Sequence, residues 1–380
     1  MLRRPVVYAC LCTALAGGWQ WLTVACNYSG NWTALFRTGD WQAAPPTLQA
    51  ESIHVFRGQG RGFDGQYYHY IAHDPFFQGD LAGYIDRPRY RYGKILVPVL
   101  AHLLAFGQQR YVDAAYFAVL LLAVFAGTFW LSGLAAIVGR HPAWGSCFLL
   151  APSVIISAGY GAIDSALTAL CAGFARYMTS NELSKVYPIL LLAPLARETG
   201  LILILACGLA ALAQRRYARA GITATAMAPC LAWAFFVAHH TSPSYPSPRR
   251  IVPFLSILEA LQSEEYRSLA TQILHAGALV ALWSAFGLSI LVWRRRGWQP
   301  VALACVLFSG MGALVLSSNQ WHRTIDFARV FSPLLILMAA EGAALRIPWT
   351  AAILLVNSAA ALLLLGEQVL GVWRRLGAWF

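Results

Sequence analysis

The sequence predicts an all-α integral membrane protein, a polytopic bundle of about eleven transmembrane helices with a long extracytoplasmic first loop, in one domain over 1–380. Three observations predict it. A soluble domain keeps about 25% charged residues because its surface faces water. Here the charged share is 12%, against 58% hydrophobic and a mean hydropathy of +0.56. Apolar runs near spanning length recur along the chain. Finally, Arg3, Arg4, Arg140, Lys185, Arg215, Arg216, Arg219, Arg294, Arg295, Arg296 and Arg346 flank those runs or fill the short gaps between them, as the positive-inside rule places basic residues. The net charge of +12 is thus explained by topology. A nucleic-acid partner is excluded, because no polar basic face interleaved with aromatics occurs.

The elements follow in order. The first span runs from Pro5 to Ala25, its start held in the cytoplasm by Arg3–Arg4. Arg3–Arg4 ahead of an apolar run ending in Ala25–Cys26 imitates a lipoprotein signal, but the run is long enough to span. Residues 26–110 form the extracytoplasmic loop with interfacial helices. Phe56, Phe63, Tyr67, Tyr68, Tyr70 and Phe76–Phe77 mark it as folded, because disordered segments are poor in aromatics. Ile95–Phe106 is too short to span, carries Pro98 and stops at Gly107, so it reads as interfacial or re-entrant. Further spans follow at Ala114–Val138, Trp144–Ala158, Ala166–Tyr177, Val186–Leu195, Gly200–Ala213 and Ile222–Ala238. The last four are Ile273–Val292, Val301–Leu316, Phe331–Ala344 and Trp349–Leu365.

With this topology the simple basic clusters fall inside. The mixed acidic, basic and aromatic gaps fall outside, at Gly159–Asp164, Ala196–Thr199, His239–Ala270 and Ser317–Arg329. Arg374–Arg375 resists the sorting, since it follows the last span on the outer side. The eight cysteines lie mostly inside apolar runs and form no CxxC pair, so they read as small core residues.

Five constellations collect on the outer side. Phe63–Asp64–Gly65–Gln66–Tyr67–Tyr68 sets an aspartate among aromatics, suited to act as a general base toward a hydroxyl. The plainer reading is an Asp-Gly turn that caps the following helix. His69 and His73, four apart, share a helix face and with Asp64 or Asp74 would suit a divalent metal. The zincin glutamate is missing, so no metal ligand is assigned and no cofactor is expected. In Asp86–Arg87–Pro88–Arg89–Tyr90–Arg91–Tyr92 an extended segment would present Arg87, Arg89 and Arg91 together, either to phosphate or to lipid headgroups.

Tyr160 and Asp164 stand where one span meets the next. An acid near bilayer depth is a functional candidate there, with helix capping as the alternative. Arg197–Glu198 between two short apolar runs reads either as an adjacent structural ion pair or as an arginine facing an anion. His322, Arg323 and Arg329 place cations around a helix start, a good phosphate site, or else line a solvated loop.

The architecture, together with Phe63–Asp64–Gly65–Gln66–Tyr67–Tyr68, resembles the GT-C glycosyltransferase superfamily. In particular it resembles the mannosyltransferases that build glycosylphosphatidylinositol anchors and their bacterial relatives. Pro152 through Ser165 is similar to that group's third-to-fourth-span region. Phe63 stands where the group carries Trp, and no DxD motif occurs. The resemblance implies a cell-membrane, multi-pass enzyme with its site on the extracytoplasmic face. It would be an inverting hexosyltransferase taking a sugar from a polyprenyl-phosphate donor to an acceptor on a glycan, lipid or protein. Asp64 would be the catalytic base, with Arg323 or Arg329 on the carrier phosphate. Gln66, Tyr67, Tyr68, Arg87, Arg89, Arg91, Tyr160, Asp164, Arg197, Glu198 and His322 complete the expected substrate-binding set, and membrane lipid surrounds the carrier's tail. Two rival readings are a transporter or flippase of a lipid-linked anion and an inert assembly subunit. A transporter predicts ionisable groups across the bilayer midplane and internal repeats, and the sequence displays neither.

Overall fold

The computed structural model describes residues 3–49, 52–58, 60–243, 269–314, 321 and 323–377. The fold is all-α, with one two-residue parallel pairing among the described residues, of β1 (Thr38–Gly39) and β2 (Val55–Phe56). Helix α1 (Arg3–Asn27) is the first apolar span. The loop after it is folded, as its aromatics predict, and holds α2 (Pro46–Gln49), α3 (Gly65–His73) and α4 (Pro88–Tyr92). Helix α5 (Leu96–Leu104) is nine residues long, about 13 Å, and cannot cross a bilayer. It buries Val97 and Ala101 while Leu103 and Phe106 stay exposed, and Gly107 (φ +70°) turns the chain as expected.

Helix α6 (Gln109–Ile137) starts earlier than its apolar pattern suggested and is the spine of the bundle, packed by α1, α5 and α8 (Asp164–Thr179). The span expected over Trp144–Ala158 is not one straight helix. A 3-10 segment (Pro142–Leu150) bends by 58° into α7 (Pro152–Tyr160), because Pro152 lacks the N–H that a continuous helix needs. Helix α7 also runs through Tyr160, so the turn expected at Gly159–Asp164 shrinks to 161–163.

Next come α9 (Leu183–Ala196), α10 (Leu201–Ala213), α11 (Tyr217–Thr225), α12 (Ala228–His240), α13 (Leu269–Arg296) and α14 (Pro300–Leu314). The chain closes with α15 (Thr324–Val330), α16 (Ser332–Leu345), α17 (Trp349–Leu364) and α18 (Gly366–Gly377). Most of the loop expected over 239–270, residues 315–316 at the end of the expected span Val301–Leu316, and residues 317–320 and 322 of the last outer gap lie outside the described residues.

Among the described residues, four helices are long and apolar enough to cross a membrane. The total rises to seven if each bent pair counts as one span, and α9, Glu198–Ala213 and α14 are shorter apolar helices. One core cluster extends from Cys12 to Ala360, and α16 is buried along most of its length. A second, smaller cluster joins Ile155, Tyr160, Ile325 and Leu365 and is flanked by Phe63. Arg374–Arg375 find their place on α18, bent 63° from α17 and amphipathic. Its Gln368 and Val372 are buried while Leu370 and Trp373 are exposed. Asn27 Nδ2 donates to the Gln368 carbonyl (3.0 Å) and Gln368 Nε2 to the Gly159 carbonyl (2.9 Å). The arginine pair therefore lies on a surface helix beyond the last apolar run.

Candidate active site

The start of α3 is pressed against the end of α7. A Cβ on Gly65 would lie 2.2 Å from the Tyr160 carbonyl oxygen, so the glycine permits a backbone approach that no other residue allows. Asp64 holds the N-cap position but makes no side-chain capping bond. Its carboxylate turns to two arginines instead. Arg91 Nη1 lies 2.9 Å from Oδ1, and Arg329 Nη2 donates to Oδ2 at 2.6 Å across 265 residues of sequence. The capping reading of Asp64 therefore fails.

Arg91 is buried and also donates to Asp86, from Nε at 2.8 Å and Nη2 at 3.3 Å. This is the two-pronged geometry that suits guanidinium to carboxylate or phosphate. Its Cζ lies 4.7 Å from the Tyr67 ring centre and 5.8 Å from that of Tyr68. Arg329 lies 5.3 Å over Phe63, which packs on Tyr160 at 5.0 Å. Arg329 Nη1 also lies 3.6 Å from Asp164, and Nη2 lies 3.5 Å from Asp326 one turn earlier. Asp164, the first residue of α8, is ion-paired to Arg197. The Nε atoms of Arg197 and Arg329 are buried and have no hydrogen-bond partner. Beside them Lys94, 4% exposed, lies 3.7 Å from Glu198 and 3.6 Å over the Tyr90 ring.

The electrostatics follow from these contacts. Burial alone would raise the Asp64 carboxyl, but Arg329, Arg91 and Lys94 outweigh it and hold the group well below the usual carboxylate range. Burial would likewise lower Arg91, yet Asp64, Tyr68 and Asp86 keep its guanidinium charged. Asp64 is thus ionised but a weak base while both arginines hold it. Its basicity rises if an incoming anion draws either one away.

The structure gathers Asp64, Tyr67, Tyr68, Arg91, Tyr160, Asp164, Arg197 and Arg329 in one network. The extended segment expected around the arginines is instead the helix α4, with Pro88 in its first turn. Residues two apart on a helix point to different faces, so Arg91 turns inward while Arg89 is half-buried, and Arg87, the N-cap in the left-handed conformation ahead of the helix, is exposed. Gln66 spends its amide on the loop, accepting from Gly39 N–H (3.2 Å) and donating to the Arg61 carbonyl (2.5 Å). Arg197 pairs with Asp164 and Glu198 with Lys94, so the sequence neighbours are drawn to different partners. Arg323 is the exposed N-cap of α15, and His322 lies outside the described residues.

Sequence reasoning missed Lys94 and, at the other end of α3, Asp113. An ionisable residue at the mouth of an apolar span was the available signal for Asp113. Neither carboxylate expected beside His69 and His73 is there. Asp64 is held by the arginines, and Asp74 accepts the Gln78 and Gly79 N–H groups at 2.7 and 3.0 Å. Asp113 takes that place. No protein-family model, curated protein or solved structure matches the chain.

Proposed function

We propose that the chain is a multi-pass glycosyltransferase of the cell membrane, resembling the GT-C superfamily, with about eleven crossings and its site on the extracytoplasmic face. Its donor is a polyprenyl-phosphate-linked sugar, and its acceptor a hydroxyl on a glycan, lipid or protein. The observation that carries this reading is the Asp64 carboxylate shared by Arg91 and Arg329 within a wall of Phe63, Tyr67 and Tyr160. Arginines with forked donors are suited to phosphate, and aspartates hold their places until a phosphate arrives.

In the proposed reaction the donor phosphate draws Arg329 away from Asp64, which then becomes the stronger base. Asp64 takes the proton of the acceptor hydroxyl as its oxygen bonds to the anomeric carbon. The bond from that carbon to the phosphate oxygen breaks, and the electron pair leaves on the polyprenyl phosphate. Arg329 and Arg197 balance the charge that develops there, the larger share of the rate. Inversion at the anomeric carbon follows from a single displacement.

The test is sugar transfer by purified protein in lipid nanodiscs, offered a panel of polyprenyl-phosphate sugars, with Asp64→Asn alongside. Loss of about 10²-fold or more in the variant, at unchanged folding, is expected. Wild-type rates in Asp64→Asn, or no transfer from any donor but movement of a lipid-linked anion across vesicles, would refute it.

A further inference from the structure

The last turn of α3 faces the first turn of α6, and three ligand atoms converge between them. His69 Nε2 lies 2.7 Å from Asp113 Oδ1, His73 Nε2 lies 3.2 Å from the same oxygen, and the two Nε2 atoms are 3.2 Å apart. His69 is fully buried and His73 3% exposed, while the Asp113 side chain keeps 22% exposure.

The neighbouring amide fixes the tautomer of His73. Gln109 Nε2 donates to the His73 carbonyl (3.1 Å), which leaves Gln109 Oε1 as the acceptor for His73 Nδ1–H at 2.6 Å. Neutral His73 therefore carries its proton on Nδ1 and presents a bare Nε2 to the centre. With Asp113 ionised, no arrangement of protons satisfies all three contacts. A bare His73 Nε2 faces the lone pairs of Asp113. A protonated one donates to Asp113 but turns its proton toward that of His69. A cation between the three atoms satisfies them together.

The spacing fits this reading. Ligands at about 2.0–2.1 Å in tetrahedral array stand roughly 3.3 Å apart, close to the observed 2.7–3.2 Å. A histidine held through its far nitrogen by a carbonyl-type oxygen is the usual outer support of a metal-bound imidazole. Two imidazoles and one carboxylate suit a borderline transition ion better than magnesium or calcium, which prefer all-oxygen sites.

We propose that His69, His73 and Asp113 bind one divalent transition-metal ion of the zinc class, with Gln109 as a positioning residue. The ion ties the end of α3 to α6. It is separate from Asp64 and independent of the transfer reaction proposed above.

The experiment uses untagged full-length protein in nanodiscs, stripped with EDTA and titrated with Zn²⁺ and Co²⁺. One zinc per chain and the intense visible bands of tetrahedral Co²⁺ are expected. The double variant His69→Ala/His73→Ala should lose both signals. Gln109→Ala should keep the bands but bind about 10–100-fold more weakly. A wild-type protein with no zinc above the double variant and no tetrahedral Co²⁺ spectrum would overturn the proposal, whether or not any variant folds. Unchanged affinity in Gln109→Ala would overturn its positioning role.

Discussion

The two ends of α3 carry polar clusters of opposite character. At its start, the carboxylates of Asp64 and Asp164 are each paired with an arginine from a distant segment. At its end, His69, His73 and Asp113 bring three ligand atoms within 3.2 Å of one another. Opposite charges can close on themselves when buried, provided each keeps its partner. A set of lone-pair donors cannot, and asks for a cation from outside. On the two proposals above, the first end exchanges its contacts for an anion and the second holds a cation.

The largest test of that contrast is Arg329→Ala. It strips one cation from Asp64, Asp164 and Asp326 together. Asp64 keeps Arg91 and Asp164 keeps Arg197, so the loss of one arginine from the network should cost about 1–3 kcal/mol of stability by denaturant titration in micelles. Asp113→Asn in metal-stripped protein should cost clearly less, because it removes lone-pair crowding as well as a partner. Equal losses at the two ends would break the comparison.

Gly65→Ala probes how firmly the first end is clamped. The added methyl meets the Tyr160 carbonyl at 2.2 Å, and backbone cannot yield as a flexible side chain would. A loss of about 1–3 kcal/mol is expected, with Zn²⁺ affinity at the far end little changed. A neutral substitution would mean that α3 and α7 are not in fixed contact.

Acid titration separates the ends more gently. Asp64 binds its proton less readily folded than unfolded. The stability it gives is complete above about pH 4, where the unfolded carboxyl is ionised, and drains away as pH falls toward the lower folded value. The stability gap between wild type and Asp64→Asn should therefore stay flat from neutral pH to about pH 4 and narrow only below it. A gap that closes between pH 5 and 7 would contradict the arginine clamp.

Much of this was legible in sequence, for physical reasons. Apolar runs and basic gaps announced the helices, and the aromatic-rich 26–110 loop announced a folded layer. Asp64 stood out for its setting among aromatics, Arg197 for its place between two short apolar runs, and Arg329 for the cations around a helix start. Which partner each takes was not legible. Arg329 reaches Asp64 across 265 residues, and no local pattern encodes a contact that the whole bundle must assemble. Asp113 was hidden for the same reason, since its histidines sit on another helix. Pro88 is the local clue on this segment. It opens the helix α4 rather than extending the chain, and so decides which arginine turns inward.

That last point yields the smallest prediction. On α4, Arg91 is buried against Asp64 and Asp86, whereas Arg87, four residues earlier, is exposed in a left-handed conformation at φ 52°. If only the inward arginine belongs to the site, Arg87→Ala should change stability by about 0.5 kcal/mol or less and leave sugar transfer near the wild-type rate. Arg87→Gly should be neutral or slightly stabilising, because glycine adopts positive φ without steric cost. Measured beside Arg91→Ala, which breaks contacts to two carboxylates, the pair isolates side-chain direction from charge. Comparable loss of transfer in both would restore the reading in which the arginines act together, and would mean that α4 reorganises when substrate binds.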